Sequence, residues 1–387
     1  MNKNITEISR WECTGCGACA TACPIACIRL EPDFEGFFAP VVNSKLCLNC
    51  GQCLKACHTN RPLEKNGALP RAFIARAKNN KSILMSSSGG VFAETARFFI
   101  EKYHGTAYGA AYDPEMNVIH QKAENISEIP PLQNSKYVQS RTDLCFSEVE
   151  KKLKDGREVL FSGTPCQIAG LKTYLKNDYP NLFTIDLICH GVASPALLKR
   201  SFHEISKKYG SDVVSCLFRT RRPFNSKRTY YRSRIKLKNN KIIERNNPYD
   251  AYYTIYLRGL GFRESCYKCR YASMSRQGDL TVGDCDSHSL YEKFYPKASN
   301  SVVFLNTKKG IELWSNISSL FWFAEIDPIQ EQKYNKQLQK PVSRPAERDD
   351  FYKNLDQMNW QEISAKYSRS FTLWAKVKNC LTGYIRF

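Results

Sequence analysis

Eight cysteines within the first 57 residues constrain this chain more than any other feature. Cys13, Cys16, Cys19 and Cys23, then Cys47, Cys50, Cys53 and Cys57, form two runs of identical internal spacing, CTGCGACATAC and CLNCGQCLKAC, each C-x2-C-x2-C-x3-C. In that spacing three cysteines on one tight loop ligate three irons of a 4Fe–4S cubane, and the fourth serves the other cubane. The expected ligand sets are therefore crossed: Cys13, Cys16 and Cys19 with Cys57, and Cys47, Cys50 and Cys53 with Cys23. Gly15, Gly17 and Gly51 suit loops that run close to inorganic sulfide and point N–H groups at it. Zinc needs four ligands, usually as two separated pairs, and has no use for two runs of four. A disulfide knot is the other reading set aside.

Such a twin-cluster ferredoxin domain occupies residues 1–65, and about 320 residues remain, enough for a domain with its own core. The N-terminus MNKNITEISRWEC has no apolar run, and no stretch approaches the ~20 apolar residues of a membrane span. With 17 cysteines in a chain lacking an export signal, metal ligation in a reducing cytoplasm is expected over disulfides. The 57 Lys plus Arg against 37 Asp plus Glu give a net charge of +20. Two or three cubanes at about −2 each, with a flavin dinucleotide, would reduce this to about +12 to +14. The remainder favours acidic partners or phosphorylated substrates; no recognition motif accompanies the charge, so nucleic acid is not expected.

The polar, proline-bounded stretch HTNRPLEKNGALP reads as a linker into a second domain from about residue 70. Strand-like and helix-like segments then alternate: residues 72–77 a strand, 90–103 an amphipathic helix, 106–112 a strand. EVLFS at 158–162, a turn at GTP, a helix over 167–176 and a strand at 183–188 make a βαβ unit with parallel strands. The expected fold class is α/β (α+β), with a partly parallel sheet behind the ferredoxin domain.

That unit sends Cys166, in GTPCQ, and Cys189, in CHG, to the same edge of the sheet, where open α/β sheets bind ligands. Cys266 and Cys269, in CYKC, complete a possible set of four and point to a third 4Fe–4S cluster; buried structural thiols and a zinc half-site or redox CxxC are the alternatives. SSSGG at 86–90 precedes a helix and can hold a phosphate or be an ordinary N-cap. The turn SRQGDLTVGDCD brings Arg276, Asp279 and Asp284 around a short strand, as a cofactor contact or a plain charged turn. Eleven Lys or Arg and one acid, Glu244, lie between Arg219 and Arg245. Alternation puts Arg232, Arg234, Lys236 and Lys238 on one face of a hairpin turning at Asn239–Asn240, either a docking face for an anionic partner or a protected sheet edge. The tail over 360–387 mixes Leu373, Trp374, Val377, Leu381 and Ile385 with Lys366, Arg369, Lys376, Lys378 and Arg386, a basic amphipathic helix that packs on the domain or touches a membrane surface peripherally.

GTPCQIAGLK, DLICHGVASP and CYKCRYASMSRQGDLTVGD, behind a twin-cluster ferredoxin, resemble the coenzyme F420 hydrogenase/dehydrogenase beta-subunit family through nearly the whole chain. The resemblance implies an FAD and 4Fe–4S domain over residues 70–345, followed by a basic helical tail over 346–387, with Cys166, Cys189, Cys266 and Cys269 as cluster ligands. It implies FAD contacts at Ser87, Ser88, Gly89, Gly90, Lys136, Tyr137, Thr164 and Arg276. It also implies hydride exchange between FAD and a deazaflavin, with flavin joining one-electron clusters to two-electron chemistry. Two features depart from the family, His58 following Cys57 where a twin-cluster ferredoxin usually has proline and Cys285 standing where relatives often carry an aromatic residue; the substrate is left open, since relatives also occur in organisms that make no deazaflavin, some beside genes for cell-surface polysaccharides. No side chain is assigned as a catalytic acid or base, and His190 is read as a neighbour of the cluster.

The expected function is that of a cytoplasmic iron–sulfur flavoprotein oxidoreductase. It would exchange electrons between ferredoxin-type clusters and a deazaflavin, or reduce a biosynthetic intermediate such as a sugar. The rival is an electron-transfer subunit docked on a separate catalytic partner. An electron-carrier protein or a reductase- or hydrogenase-type subunit is the expected protein partner.

Overall fold

The computed structural model describes residues 3–63, 69–220, 232–246, 250–291 and 300–368. The N-terminal domain is built on an antiparallel hairpin, β1 (Ile28–Pro32) and β2 (Phe38–Val42), with two single-turn helices, α1 (Ala18–Thr21) and α2 (Gln52–Lys55). Each helix starts from a left-handed glycine, Gly17 with φ 79° and Gly51 with φ 70°, so the repeated cysteine runs fold into repeated loop–helix units. Its own apolar cluster is small: Ile5, Cys19, Cys27, Ile28 and Cys53.

The remaining strands in chain order are β3 (Arg71–Ala77), β4 (Thr106–Tyr112), β5 (Val118–Ala123), β6 (Val159–Gly163), β7 (Leu182–Leu187), β8 (Val213–Thr220), β9 (Arg232–Leu237), β10 (Ile242–Asn246), β11 (Leu280–Asp284), β12 (Ser301–Leu305) and β13 (Phe321–Ile326). Eight of them form one mixed sheet in the order β13–β3–β12–β11–β7–β6–β4–β5. Its centre, β11–β7–β6–β4, is parallel. These central strands are buried along most of their length, as strands covered on both faces must be. Antiparallel steps from β11 to β12 and from β12 to β3 turn β3 back to the central direction. Five strands thus end on one edge, at Ala77, Tyr112, Gly163, Leu187 and Asp284.

After β3 come a short helix, Asn80–Met85, and then helix α3 (Val91–Tyr103); α4 (Phe146–Lys154) precedes β6, and α5 (Pro165–Leu175) joins β6 to its parallel neighbour β7. Strands β8, β9 and β10 make a separate antiparallel sheet that packs with α6 (Pro195–Tyr209) and α7 (Ala251–Leu257). In β9, Ser233, Ile235 and Leu237 are buried and alternate with the cations Arg232, Arg234 and Lys236. Glu244 on β10 bridges two of these, lying 3.2 Å from Arg232 and 2.6 Å from Arg234. The other cations of that stretch between residues 221 and 231 lie outside the described residues.

The N-terminal domain shares core with the second one. Cys16, Ala18 and Ala56 belong to the apolar cluster of Phe146, Phe161, Ile168 and Leu171, and Phe37 belongs to that of Leu197, Phe262 and Tyr352. The boundary drawn at residue 346 is not a packing boundary. Helices α8 (Arg348–Gln357) and α9 (Trp360–Tyr367) bury Phe351, Tyr352, Leu355, Ile363 and Tyr367 in that same core. Arg348, 1% exposed, grips Glu35 of the N-terminal hairpin with two 2.9 Å hydrogen bonds. The rest of the expected tail, including Arg369, Leu373, Trp374, Lys376, Val377, Lys378, Leu381, Ile385 and Arg386, lies outside the described residues. No helix among the described residues is long and apolar enough to cross a membrane.

Candidate functional site

One cavity of the N-terminal domain is lined by Cys13, Cys16, Cys19 and Cys57 together. The chain crossing predicted from spacing requires that grouping, since Cys57 comes from the opposite run. Burial pushes the Cys16 thiol up to about 12, reinforced by the charges of Cys57, Cys13 and Cys166. Cys19 is also raised well above the usual thiol range, by burial and then by Cys16, Cys13, Cys57 and Cys53. A buried, mutually repelling thiol set of this kind deprotonates when iron supplies the countercharge. On the far side Cys47 is half-buried and Cys50 exposed, and Cys23 Sγ lies 3.4 Å from Cys27 Sγ. Leu46 and Leu48, flanking Cys47, are 56% and 68% exposed, so this second thiol loop faces solvent with an apolar rim.

Gly15 and Gly17 have a reason beyond sulfide approach. A Cβ on Gly15 would stand 2.1 Å from Gln139 Nε2 and 2.9 Å from Arg263 Nη1, and one on Gly17 2.6 Å from Asp143 Cβ. The first cluster loop is clamped there, Arg263 donating to Cys13 O (2.7 Å) and Thr142 to Cys16 O (2.7 Å), and Thr173 holds Ala56 O (2.8 Å), beside Cys57 of the second run.

Cys166, Cys189, Cys266 and Cys269 converge on the carboxyl edge of the parallel strands. Thr164 caps α5 and makes a capping box with Gln167, Pro165 opens the helix, and Cys166 is its second residue. A helix N-terminus favours thiolate, and Thr164 Oγ1 lies 3.1 Å from Cys166 Sγ. Cys189 follows the end of β7 by two residues. Cys266 sits in the turn Glu264–Lys268, and Cys269 ends it. Burial raises the Cys189 thiol well above the usual range, and the charges of Cys266, Cys166 and Cys269 add to it. Cys266 is pushed up to about 12 by burial and then by Cys269, with Cys166 contributing; burial drives Cys166 to about 11 with a further rise from Cys269. The four therefore sense one another, and their chemistry fits a cubane, whose thiolates occupy four separate irons. No group of three His, Cys, Asp or Glu among the described residues gathers tightly enough to share one metal ion.

Arg276 bolts two of these cysteine loops together. Its guanidinium donates to Tyr271 O (2.7 Å), two residues after Cys269, and to Leu187 O (2.5 Å), two residues before Cys189. It also pairs with Asp186 at 3.3 Å, both side chains being at most 2% exposed. Asp186 further accepts from Gln277 N, Gly278 N and Thr281 Oγ1. Asp279 accepts from Thr184 and Thr307. Most of SRQGDLTVGDCD is thus a buried staple for the thiol loops, while Asp284 at the end of β11 meets Arg219 at 2.7 Å. His190, next to Cys189, is exposed.

The segments expected to contact FAD adjoin one another. Ser135 N donates to Ser87 Oγ (2.8 Å) and Gln133 Nε2 to Ser86 Oγ (2.9 Å). Ser88 Oγ donates to Asn300 O and Gly89 N to Ser301 Oγ, and a Cβ on Gly89 would stand 2.3 Å from Ala75 O. Gly90, with φ 79°, caps α3, whose first turn carries the buried Glu94, hydrogen-bonded by Ser82; that helix end already faces a carboxylate of its own. Lys136 is buried and donates to Pro131 O (2.9 Å) and Gln133 O (2.6 Å). Burial drops its pKa to about 7, and a neutral amine has two N–H groups for those two carbonyls. Tyr137 is left-handed, φ 50°, and its ring is edged by Tyr256 at 4.7 Å and Tyr253 at 5.0 Å. Asn134 Oδ1, between Gln133 and Ser135, and Ser275 Oγ, beside Arg276, are buried with no hydrogen-bond partner among the described residues. Buried polar atoms are normally satisfied, so these two fit the polar edge of a bound group. A shallower cavity of about 560 Å³, lined by Arg76, Lys78, Trp322 and Phe323, lies against the paired outer strands β3 and β13.

Gly170, Tyr271, Arg263 and Asn134 were not singled out in the sequence. Only Gly170 carried a signal: a glycine inside a helix costs about 1 kcal/mol against alanine and asks for a packing reason.

Residues 156–328 match the C-terminal part of the family described as coenzyme F420 hydrogenase/dehydrogenase, beta subunit, and residues 12–61 match the 4Fe-4S dicluster domain. The N-terminal domain is of ferredoxin type, and the chain is an iron–sulfur protein. No curated protein matches it in sequence. Among solved structures, a chain of the F420-reducing NiFe hydrogenase complex from Methanosarcina barkeri is similar, with 16% identity over 73% of this chain and 99% of that chain and a TM-score of 0.46.

Proposed function

We propose that this chain, which belongs to the coenzyme F420 hydrogenase/dehydrogenase beta-subunit family through residues 156–328, is an oxidoreductase that relays single electrons through three cubanes to FAD. The observation that carries this reading is the meeting of two thiol sets at helix α5. Cys166 lies in the first turn of that helix, and Gly170, one turn on, admits Cys16 of the first set to van der Waals contact. The set of Cys47, Cys50, Cys53 and Cys23 is the entry, because Cys50 is exposed and the apolar rim of Leu46 and Leu48 beside it suits an electron-carrier protein. The set of Cys13, Cys16, Cys19 and Cys57 is the middle, and Cys166, Cys189, Cys266 and Cys269 hold the last cubane at the strand edge.

When bound, FAD supplies the conversion between one-electron carriers and two-electron substrates. Asn134 and Ser275 offer it unpaired acceptors. Ser87, Ser88, Gly89 and Gly90 shape one wall with Lys136 and Tyr137, while Thr164 and Arg276 hold the cluster side in register. The substrate would be a deazaflavin or an anionic biosynthetic intermediate, in keeping with the net charge of +20. Flavin released from anaerobically purified protein and identified by chromatography tests the cofactor. Turnover of the isolated chain with a reduced carrier and a deazaflavin tests the activity.

The second reading, an electron-transfer subunit without a substrate of its own, is favoured by the matched family being described as that of a subunit. It stands if the flavin-loaded chain reduces no small acceptor until another subunit is added.

A further inference from the structure

We propose that His58 and Tyr271 form a positioning pair that sets the rate of electron transfer between the cubane of Cys13, Cys16, Cys19 and Cys57 and that of Cys166, Cys189, Cys266 and Cys269. The proposal rests on the three-cubane reading above.

His58 follows the ligand Cys57, and Tyr271 stands two residues after the ligand Cys269. Both are buried, His58 at 2% and Tyr271 at 6% exposure. His58 Nδ1 lies 2.7 Å from the Tyr271 hydroxyl, and its Nε2 lies 2.9 Å from Thr14 Oγ1, in the loop between Cys13 and Cys16. Arg270 reaches His58 O at 3.4 Å. The imidazole therefore touches both arms of the first thiol set and, through one hydrogen bond, the loop of the other. The phenol, carried two residues after Cys269, thus reaches across to the histidine that follows Cys57 and hydrogen-bonds it.

This arrangement closes a nearly continuous chain of bonds from Cys57 through His58 and Tyr271 to Cys269, broken by a single short hydrogen bond. Electron tunnelling weakens steeply with distance and faster across gaps than along bonds, so the pair both fixes the separation and supplies the path. Packing of the two rings, 5.7 Å between centroids, excludes water that would otherwise reorganise with each transfer. The step moves one electron: the first cubane is oxidised by one, the second reduced by one, and no proton is transferred. A proline at residue 58 could make neither hydrogen bond, because its ring nitrogen is the acylated backbone nitrogen and its side chain carries no other polar atom.

The test compares wild type with His58→Phe, His58→Gln and Tyr271→Phe, all purified anaerobically. Iron is counted first; then rapid-freeze EPR after a pulse of dithionite follows electrons from the ferredoxin clusters to the third, and spectra of the fully reduced protein report the magnetic coupling between neighbouring cubanes. All four proteins should hold about twelve irons. Both Phe variants should transfer about tenfold more slowly or worse, and His58→Gln, able to keep both hydrogen bonds, should return to within about threefold of wild type. Unchanged rates and coupling in the Phe variants at full iron content overturn the proposal. So does a normal rate in Tyr271→Phe with iron lost only from His58→Phe, which would make the histidine purely structural. A wild-type count near eight irons instead overturns the three-cubane reading beneath it.

Discussion

Gly170 faces the sulfur of Cys16: a β-carbon on the glycine would stand 2.7 Å from Cys16 Sγ and 2.9 Å from its Cβ. Gly170 lies four residues after Cys166, so both occupy one face of α5. The N-terminal domain is seated on the helix that presents a thiol of the other set. The proposed relay rests on that contact.

Gly170→Ala is therefore expected to reverse the usual effect of such a change. In an open helix interior alanine would stabilise by about 1 kcal/mol. Here overpacking against a cluster ligand should cost about 1–3 kcal/mol. An anaerobic thermal melt of the loaded protein should show a lower midpoint, and an unchanged or higher midpoint would contradict the packing described.

Arg276→Met removes the bolt between the Cys189 and Cys269 loops and leaves Asp186 buried without its ionic partner. Breaking a buried pair on one side costs about 3–5 kcal/mol. The damage should fall first on the third cubane. Iron content should drop from about twelve to about eight while the EPR signals of the two ferredoxin clusters persist. Loss of all three signals together, or none, would show that Arg276 does not serve this site selectively.

Lys136 makes the alkaline limb of stability steep. Burial lowers its amine to about 7 in the folded protein, against about 10.4 unfolded. Between those values the unfolded chain binds a proton that the native state does not, so stability rises with pH by up to ~1.4 kcal/mol per unit. Below about pH 7 the native amine is protonated too and the contribution to the slope ends. Lys136→Met should flatten anaerobic urea midpoints across about pH 7 to 9.5; equal slopes in both proteins would contradict the buried, neutral amine.

The cysteine spacing made the N-terminal domain legible because a cubane dictates its ligand loop locally. The βαβ unit was legible because apolar runs and the GTP turn punctuate it, and its strands fall at Val159–Gly163 and Leu182–Leu187, within a residue of expectation. Long-range seating was not legible. Nothing local tells that Arg348 reaches Glu35, that Phe37 enters the core of Phe262 and Tyr352, or that His58 meets Tyr271, because each pair is joined only by the tertiary fold. SRQGDLTVGDCD left its two readings balanced for the same reason: Arg276 and Asp279 look alike as cofactor contacts or as staples until Asp186 and Thr184 are seen beside them. The Ser86–Gly90 loop was legible as a helix start, and its hydroxyls prove to be engaged largely by the protein itself.

The most direct test of the account is the iron content of anaerobically purified wild type beside Cys166→Ser. Three cubanes predict about twelve irons per chain in wild type and about eight in the variant, four per cubane. A wild-type value near eight, unchanged by the substitution, would contradict the third cubane and with it the relay that ends at Cys166, Cys189, Cys266 and Cys269.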